Sequence, residues 1–251
     1  MKMHLASTIA ALAVYSAASI ASPTVIYQTG FESPTYTVGN LTGQDGWAQF
    51  GNGLNTVQTG LVATGLQAAL VDGRLASGQD GPFRSSPTAL PLISLSADIR
   101  LVSGANQRDW QFSAIGPALV GFSGGIDILA NGDILAISNG FAVIGNFSRD
   151  VWHNVNVQLD YSTQKYDLLL DGVTLATGVA FCGSNAGCTG AFLPSYDSVI
   201  FDTFGTGGDD FGAIDNLKVQ TFERGVPEPT AIALLGVGLA GLGFGRRKRH
   251  A

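Results

Sequence analysis

From Leu95 to Leu101 apolar side chains fall on every second residue, Leu95, Ala97, Ile99 and Leu101, with Ser96, Asp98 and Arg100 between them. That period of two puts one face of a strand in a core and leaves the other wet. The same alternation returns in Val151, His153, Val155, Val157 and Leu159, and no amphipathic helix pattern appears between Pro23 and Val226. Short runs are punctuated by turn dipeptides, Asn131-Gly132 between two apolar segments and Asp171-Gly172 ahead of Val173. Both suit the left-handed torsions of a two-residue hairpin. Such a meander has to close against a second sheet, so the expected fold is an all-β, two-sheet antiparallel sandwich.

The two ends of the chain carry a different pattern. Lys2 followed by an uncharged, Ala-rich run from Leu5 to Ala21 reads as an export signal, cleaved after Ala21 by a signal peptidase. At the other end Val226-Pro227-Glu228-Pro229 is a stiff, extended break, because each proline fixes its own torsion and restricts its predecessor. Thr230 to Gly245 then holds 16 uncharged residues, and Arg246, Arg247, Lys248 and Arg249 follow at once. The run is at the short edge of a membrane-spanning helix, and the basic cluster marks the cytoplasmic side. The expected organisation is a signal helix over 1–21, a β-sandwich over 22–225, and an apolar helical tail over 226–251 that anchors the chain transiently in the inner membrane.

The order of P-E-P, apolar stretch and terminal basic cluster resembles the PEP-CTERM sorting signal of Gram-negative bacteria. The resemblance assigns Pro227, Glu228 and Pro229 to the motif and implies an exosortase that removes the tail. It also implies delivery to the cell surface or the exopolysaccharide matrix. A second resemblance lies in Val151-Trp152-His153-Asn154-Val155-Asn156-Val157 and Tyr166-Asp167-Leu168-Leu169-Leu170-Asp171-Gly172-Val173, which look like the core of laminin-G-like, concanavalin A-like jelly rolls. In that fold the first and last strands, here around Phe31-Glu32 and Ala213 to Val219, pair with each other. The resemblance implies that Glu32 and Asp215 bring carboxylates to one calcium ion, with Asn216 or Asp72 adding oxygens. Pairing of Glu32 with Lys218 is the alternative.

Between residues 22 and 229 there are 8 Lys and Arg against 19 Asp and Glu, a net charge of −11, which argues against a nucleic-acid partner. Cys182 and Cys188 are the only cysteines. In an exported chain they are expected to close a small disulfide loop, with free thiols or a metal pair as alternatives. The paired glutamates of glucanases with this fold are absent, and His153 is expected to be a structural histidine. The sandwich is therefore expected to be non-catalytic. Asp127 and Asp133, expected to face each other across the 131–132 hairpin, are the remaining carboxylate candidates. Trp47 and Trp110 sit in polar contexts and are candidate platforms for polysaccharide. A glycan-active hydrolase of unfamiliar type and a calcium-dependent adhesion module are the alternative functions.

Overall fold

The computed structural model describes residues 22–72, 74, 78–117, 121–138, 142–183, 192–205 and 208–223. The signal segment 1–21, the sorting tail from 224 onward and Cys188 lie outside them, and so do the two expected terminal helices. Among the described residues no helix is long and apolar enough to cross a membrane.

Two antiparallel sheets make up the fold. The first runs, edge to edge, through β14 (Val173–Ala180), β13 (Lys165–Leu170), β12 (His153–Asp160), β7 (Leu92–Val102), β16 (Phe211–Thr221), β5 (Ala68–Asp72), β4 (Leu54–Gln58) and β2 (Gly39–Asn40). The first strand, β1 (Val25–Thr29), also pairs with β16. The second sheet runs through β11 (Val143–Asn146), β10 (Asp133–Ala136), β9 (Phe122–Ile128), β8 (Asp109–Ile115), β15 (Tyr196–Phe204), β6 (Gly81–Thr88) and β3 (Trp47–Phe50).

The alternation in the sequence sets the faces. Leu95, Ala97, Ile99 and Leu101 on β7 and Val155, Val157 and Leu159 on β12 are all fully buried. They register as Val155↔Ala97, Val157↔Leu95 and Leu159↔Ile93. From the other sheet Trp110, Phe112, Ile126, Ile128 and Phe201 complete the core. Each such side chain contributes roughly 1.5–3 kcal/mol of burial. Gly212 is required by this packing: a Cβ there would lie 2.6 Å from the Trp110 ring and 2.7 Å from that of Phe201.

The turns divide. Asp171 and Gly172 both take positive φ, 52° and 76°, and join Leu170 directly to Val173, as a two-residue hairpin requires. At Asn131-Gly132 only Gly132 is left-handed, with φ 88°, and Leu129 donates to the carbonyl of Asp133. Three residues, 130–132, therefore separate the strands instead of two. Asp127 stands opposite Leu135, and the expected Asp127–Asp133 pair does not form; a two-residue turn would have set Asp127 opposite Ala136, so with either loop Asp133 pairs nearer the turn. Asp133 Oδ2 instead accepts from the Asn131 side-chain amide, and the Asp133 backbone amide donates to Asn131 Oδ1.

The first and last strands pair, with Tyr27↔Val219 and Thr29↔Leu217, but the first strand is Val25–Thr29, so Phe31 and Glu32 follow it and do not form it. One edge of β16 is shared, since β5 holds residues 212–214 and β1 takes over from Leu217. At the handover the ladder is irregular and Asn216 adopts φ 50°, a left-handed conformation that asparagine tolerates. The irregularity leaves Asp215 at a gap between two neighbouring strands.

Candidate functional site

Two places combine buried polar groups with unusual chemistry. The first is the handover on β16. Glu32 and Asp215 do approach one another: a Cβ built on Gly30 would meet Glu32 Cγ at 3.7 Å, Asp215 Oδ1 at 3.7 Å and Asn216 Oδ1 at 3.6 Å. Both carboxylates hold one loop. Asp215 Oδ2 accepts from the amides of Ala63 and Thr64, each at 3.1 Å, and Glu32 Oε1 accepts from Leu66 at 2.7 Å and Gln67 at 3.0 Å. Burial raises the Asp215 carboxyl above its ordinary range, against the backbone amides of Thr64, Asn216 and Ala63 that lower it, and the neighbouring Asp98 adds to the rise. An open hollow of about 520 Å³ adjoins the cluster, lined by Gln28, Glu32, Asp45, Asn216 and Lys218 among others.

Calcium asks for hard oxygen donors and takes six to eight of them. Glu32, Asp215 and Asn216 fit in ligand type, yet among the described residues no group of three or more His, Cys, Asp or Glu could hold a metal. Backbone carbonyls and water would have to complete the shell. Asp72 is not a contributor, because at the far end of β5 it is paired with Arg74 at 2.5 Å. No ion pair joins Glu32 to Lys218 among the described ones.

The two tryptophan platforms are corrected. Trp47 is 2% exposed and Trp110 fully buried, so neither offers a ring face to a ligand. Trp47 packs on Phe31 and donates to the Tyr36 hydroxyl at 3.0 Å, while Trp110 stacks on Phe201 and donates to Asp210 at 2.8 Å. Arg108, two residues before Trp110, belongs to the same buried Asp210 network, while exposed Asp109 accepts from the Ala130 amide. His153 is partly buried, with Nδ1 2.6 Å from Asp171 and Nε2 3.1 Å from the carbonyl of Ser148. Both ring nitrogens are occupied, which leaves none to act as a base.

The second place lies on the outer face of the second sheet and was not singled out from the sequence. Inward-facing Trp110, Phe112 and Phe201 fix the parity of β8 and β15. Their alternate residues Gln111, Ser113, Ile200 and Asp202 must point away from the core. Pairing lines these up across the strands. Phe50 stands opposite Gly81, Gly81 abuts Asp202, Asp202 is opposite Gln111, Gln111 opposite Asp127, and Asp127 opposite Leu135. A parallel row of Ala48, Phe83, Ile200, Ser113 and Gly125 runs beside it.

Six strands thus place two carboxyls, an amide and a hydroxyl on one surface. Half-buried Phe50 and Phe83 stack at 4.5 Å at one end. Gly81 is needed there, since a Cβ would run into the backbone of Asp202 and the carbonyl of Phe201. On this outer face Gln111, Ser113 and Asp202 are buried, at 3%, 0% and 0% exposure. The amide of exposed Gln79 donates to Asp202 Oδ2, whereas Oδ1 of Asp202 and the hydroxyl of Ser198 have no partner. Burial pushes the Asp202 carboxyl well above its usual range, offset in part by Gln79 and reinforced by Asp127 and Asp80. Burial, then the charge of Asp109, pushes Asp127 up to about 7.

Comparison with known proteins places both parts of the chain. A carbohydrate esterase from the Shiga toxin-encoding bacteriophage phi24B superposes with a TM-score of 0.56 at 14% identity, over 80% of this chain and 100% of that one. An endo-β-1,4-glucuronan lyase from Trichoderma reesei gives 0.54 at 14% identity, over 79% and 96%. A sialidase gives 0.55 at 10% identity over 71% of this chain, which spans only 17% of that one. At these identities the likeness is one of fold. No curated protein matches the chain in sequence. The family description of the PEP-CTERM protein-sorting motif matches residues 225–249, which implies export and processing by exosortase. The chain thus carries a PEP-CTERM sorting motif behind an all-β, two-sheet sandwich of jelly-roll type.

Proposed function

We propose that the sandwich binds polysaccharide on the outer face of its second sheet, and that the sorting tail delivers it to the cell surface or exopolysaccharide matrix. The observation that carries this is the transverse double row. Half-buried Phe50 and Phe83 supply apolar area for the C–H faces of a sugar, and half-buried Asp127 with exposed Gln79 supplies polar groups on the same face. Neighbouring strands are about 4.8 Å apart, so the distance from β6 to β9 is about 14 Å, room for roughly three sugar units lying across the strands. A panel of immobilised polysaccharides should retain the wild-type protein, and Phe83→Ala should weaken retention at least tenfold. A wild-type protein that no polysaccharide retains would overturn the reading.

Glu32 and Asp215 are proposed to share a structural calcium ion that ties β1 to β16. The tail makes a separate prediction. Replacing Arg246, Arg247, Lys248 and Arg249 with neutral residues removes the positive-inside bias. Fractionation should then show the protein leaving the inner membrane or accumulating unprocessed. Wild-type processing and location of that variant would refute the role given to the cluster.

A further inference from the structure

We propose that the end of the sandwich from which both chain termini leave is a membrane-facing surface, which sits on the lipid headgroups while the tail is still attached. This rests on the sorting tail holding the chain at the inner membrane, and it adds which part of the sandwich meets that bilayer. β16 ends at Thr221, beside the start of β1: the Thr221 amide donates to the Thr24 carbonyl at 2.9 Å, and the Thr24 amide donates to Thr221 Oγ1 at 2.7 Å. The export segment over 1–21 therefore continues from the same end of the sandwich as the sorting tail. Residues 222–229 separate β16 from the uncharged run, and a stretch of that length spans at most about 28 Å. An anchored tail thus keeps this end close to the bilayer.

Hydrogen bonds fix what surrounds the two termini. Thr221 pairs with Ile93 near the start of β7. The Tyr161 amide donates to the Pro91 carbonyl at 2.8 Å, Gln164 Nε2 donates to the Tyr161 carbonyl at 2.7 Å, and the Leu193 amide donates to Gln164 Oε1 at 2.8 Å. These contacts carry one continuous surface from β1 across β16, β7 and β12 to the residues ahead of β15. Three exposed apolar side chains stand along it, Val25 at 43%, Leu90 at 42% and Phe192 at 69% exposure. Phe192 is the only aromatic among the exposed large hydrophobic residues described. Apolar side chains that enter the headgroup zone are what hold an interfacial segment on a bilayer.

Charge divides the two ends of the sandwich. Strand connections 89–91, 116–121, 161–164 and 181–195 close the terminal end, and none contains Asp, Glu, Lys or Arg. At the opposite end connections 51–53, 73–80, 103–108, 129–132, 147–152, 171–172 and 205–210 hold eight such residues, Arg108, Arg149, Asp209 and Asp210 among them. Beside the terminal end Lys165 and Glu223 are exposed, one of each sign, and Asp160 is buried with Oδ1 accepting from the Ser162 and Thr163 amides. Glu32 and Asp45 are set back, beside Leu217 and Lys218 in the hollow. The length of β7 separates the two ends by about 34 Å, several Debye lengths at physiological salt. The acidic end is thus screened from an anionic lipid surface, and the uncharged connections meet it without repulsion. A specific protein partner is the poorer fit, because these connections supply no charge for it to pair with.

The test anchors the exported chain, tail intact, in vesicles of phosphatidylethanolamine and phosphatidylglycerol with brominated acyl chains. Two variants report depth: Phe192→Trp at the terminal end, and Val173→Trp at the start of β14, 64% exposed at the opposite end. After subtraction of the native tryptophan emission, bromination should quench Phe192→Trp at least twofold and leave Val173→Trp unchanged. Adding Leu90→Asp to Phe192→Trp should relieve most of that quenching. Leu90 is exposed, so the melting midpoint should stay that of the wild type, and thermal melts show that the variant folds. Equal quenching at both positions, or none at either in chains that float with the vesicles, overturns the proposal and leaves the anchoring tail intact. A wild-type chain that does not float with the vesicles overturns the anchoring and the proposal with it. Quenching that appears only when exosortase shares the vesicle assigns this end to the enzyme and overturns the lipid contact.

Discussion

Asp210→Ala should destabilise the sandwich by about 3–5 kcal/mol, the range for removing one partner of a buried ion pair. Asp210 is fully buried beside two guanidinium groups, Arg108 at 3.3 Å and Arg149 at 2.8 Å, whose side chains are 3% and 8% exposed. It also accepts from the Trp110 indole at 2.8 Å and from the Arg108 amide at 3.2 Å. Burial works against its charge, but these donors outweigh it and hold the carboxyl below its ordinary range. Truncation would leave two buried cations and an indole N–H without their acceptor. At roughly 2–4 °C per kcal/mol for a domain of this length, the melting midpoint should fall by roughly 6–20 °C.

The pH dependence of that stabilisation has a definite sign. A carboxyl with a depressed folded-state value contributes stability above its unfolded value, and loses it as pH falls through the folded one. The Asp210 contribution is therefore present at neutral pH and should fade below about pH 4. If Asp210→Ala melts within 2 °C of the wild type at pH 7 and shows the same acid limb, the pair is not what holds β8 to the start of β16.

Where the sequence was legible, one local rule decided the outcome. Alternation from Leu95 to Leu101 and from Val155 to Leu159 sets a face whatever the partner strand, and the torsions of Asp171-Gly172 need only two residues. The outer-face row has no such signature. Its members, at 50, 81, 111, 127, 135 and 202, come from six strands, and each looks in its own strand like an ordinary polar or apolar outward position. Only strand order and register bring them together. Asp127 was legible as a carboxylate but not in its pairing: residues on one strand oppose residues equally far from the turn on the other, so Asp127 faces Leu135 and Asp133 stays beside the turn. Trp47 and Trp110 failed for a related reason: their polar sequence neighbourhoods read as solvated loops, while long-range hydrogen bonds to Tyr36 and Asp210 hold both indoles in the core.

Calcium should raise the melting midpoint by about 5–10 °C over the same protein in chelator, and the geometry at β16 says why. Glu32 and Asp215 approach the same glycine from opposite ends of the chain, one just after β1 and the other within β16. Loop amides occupy Oε1 of Glu32 and Oδ2 of Asp215, so the acids already order residues 63–67 before any cation is considered. What the amides do not supply is charge neutralisation, and the raised Asp215 carboxyl shows the cost of burying it. A divalent cation supplies that charge and binds the folded state alone, which stabilises it by about 2.7 kcal/mol at a hundredfold excess over its dissociation constant. The conversion to degrees uses roughly 2–4 °C per kcal/mol. Calcium needs the ionised carboxylate, so the increment should grow as pH rises through the titration of Asp215 and shrink in acid. Asp215→Asn will lower stability in either buffer by weakening the loop anchor, so the informative quantity is the calcium-dependent difference, which should vanish in that variant and in Glu32→Gln. Wild-type melts that superimpose in calcium and chelator would leave Glu32 and Asp215 as anchors of the 63–67 loop and nothing more.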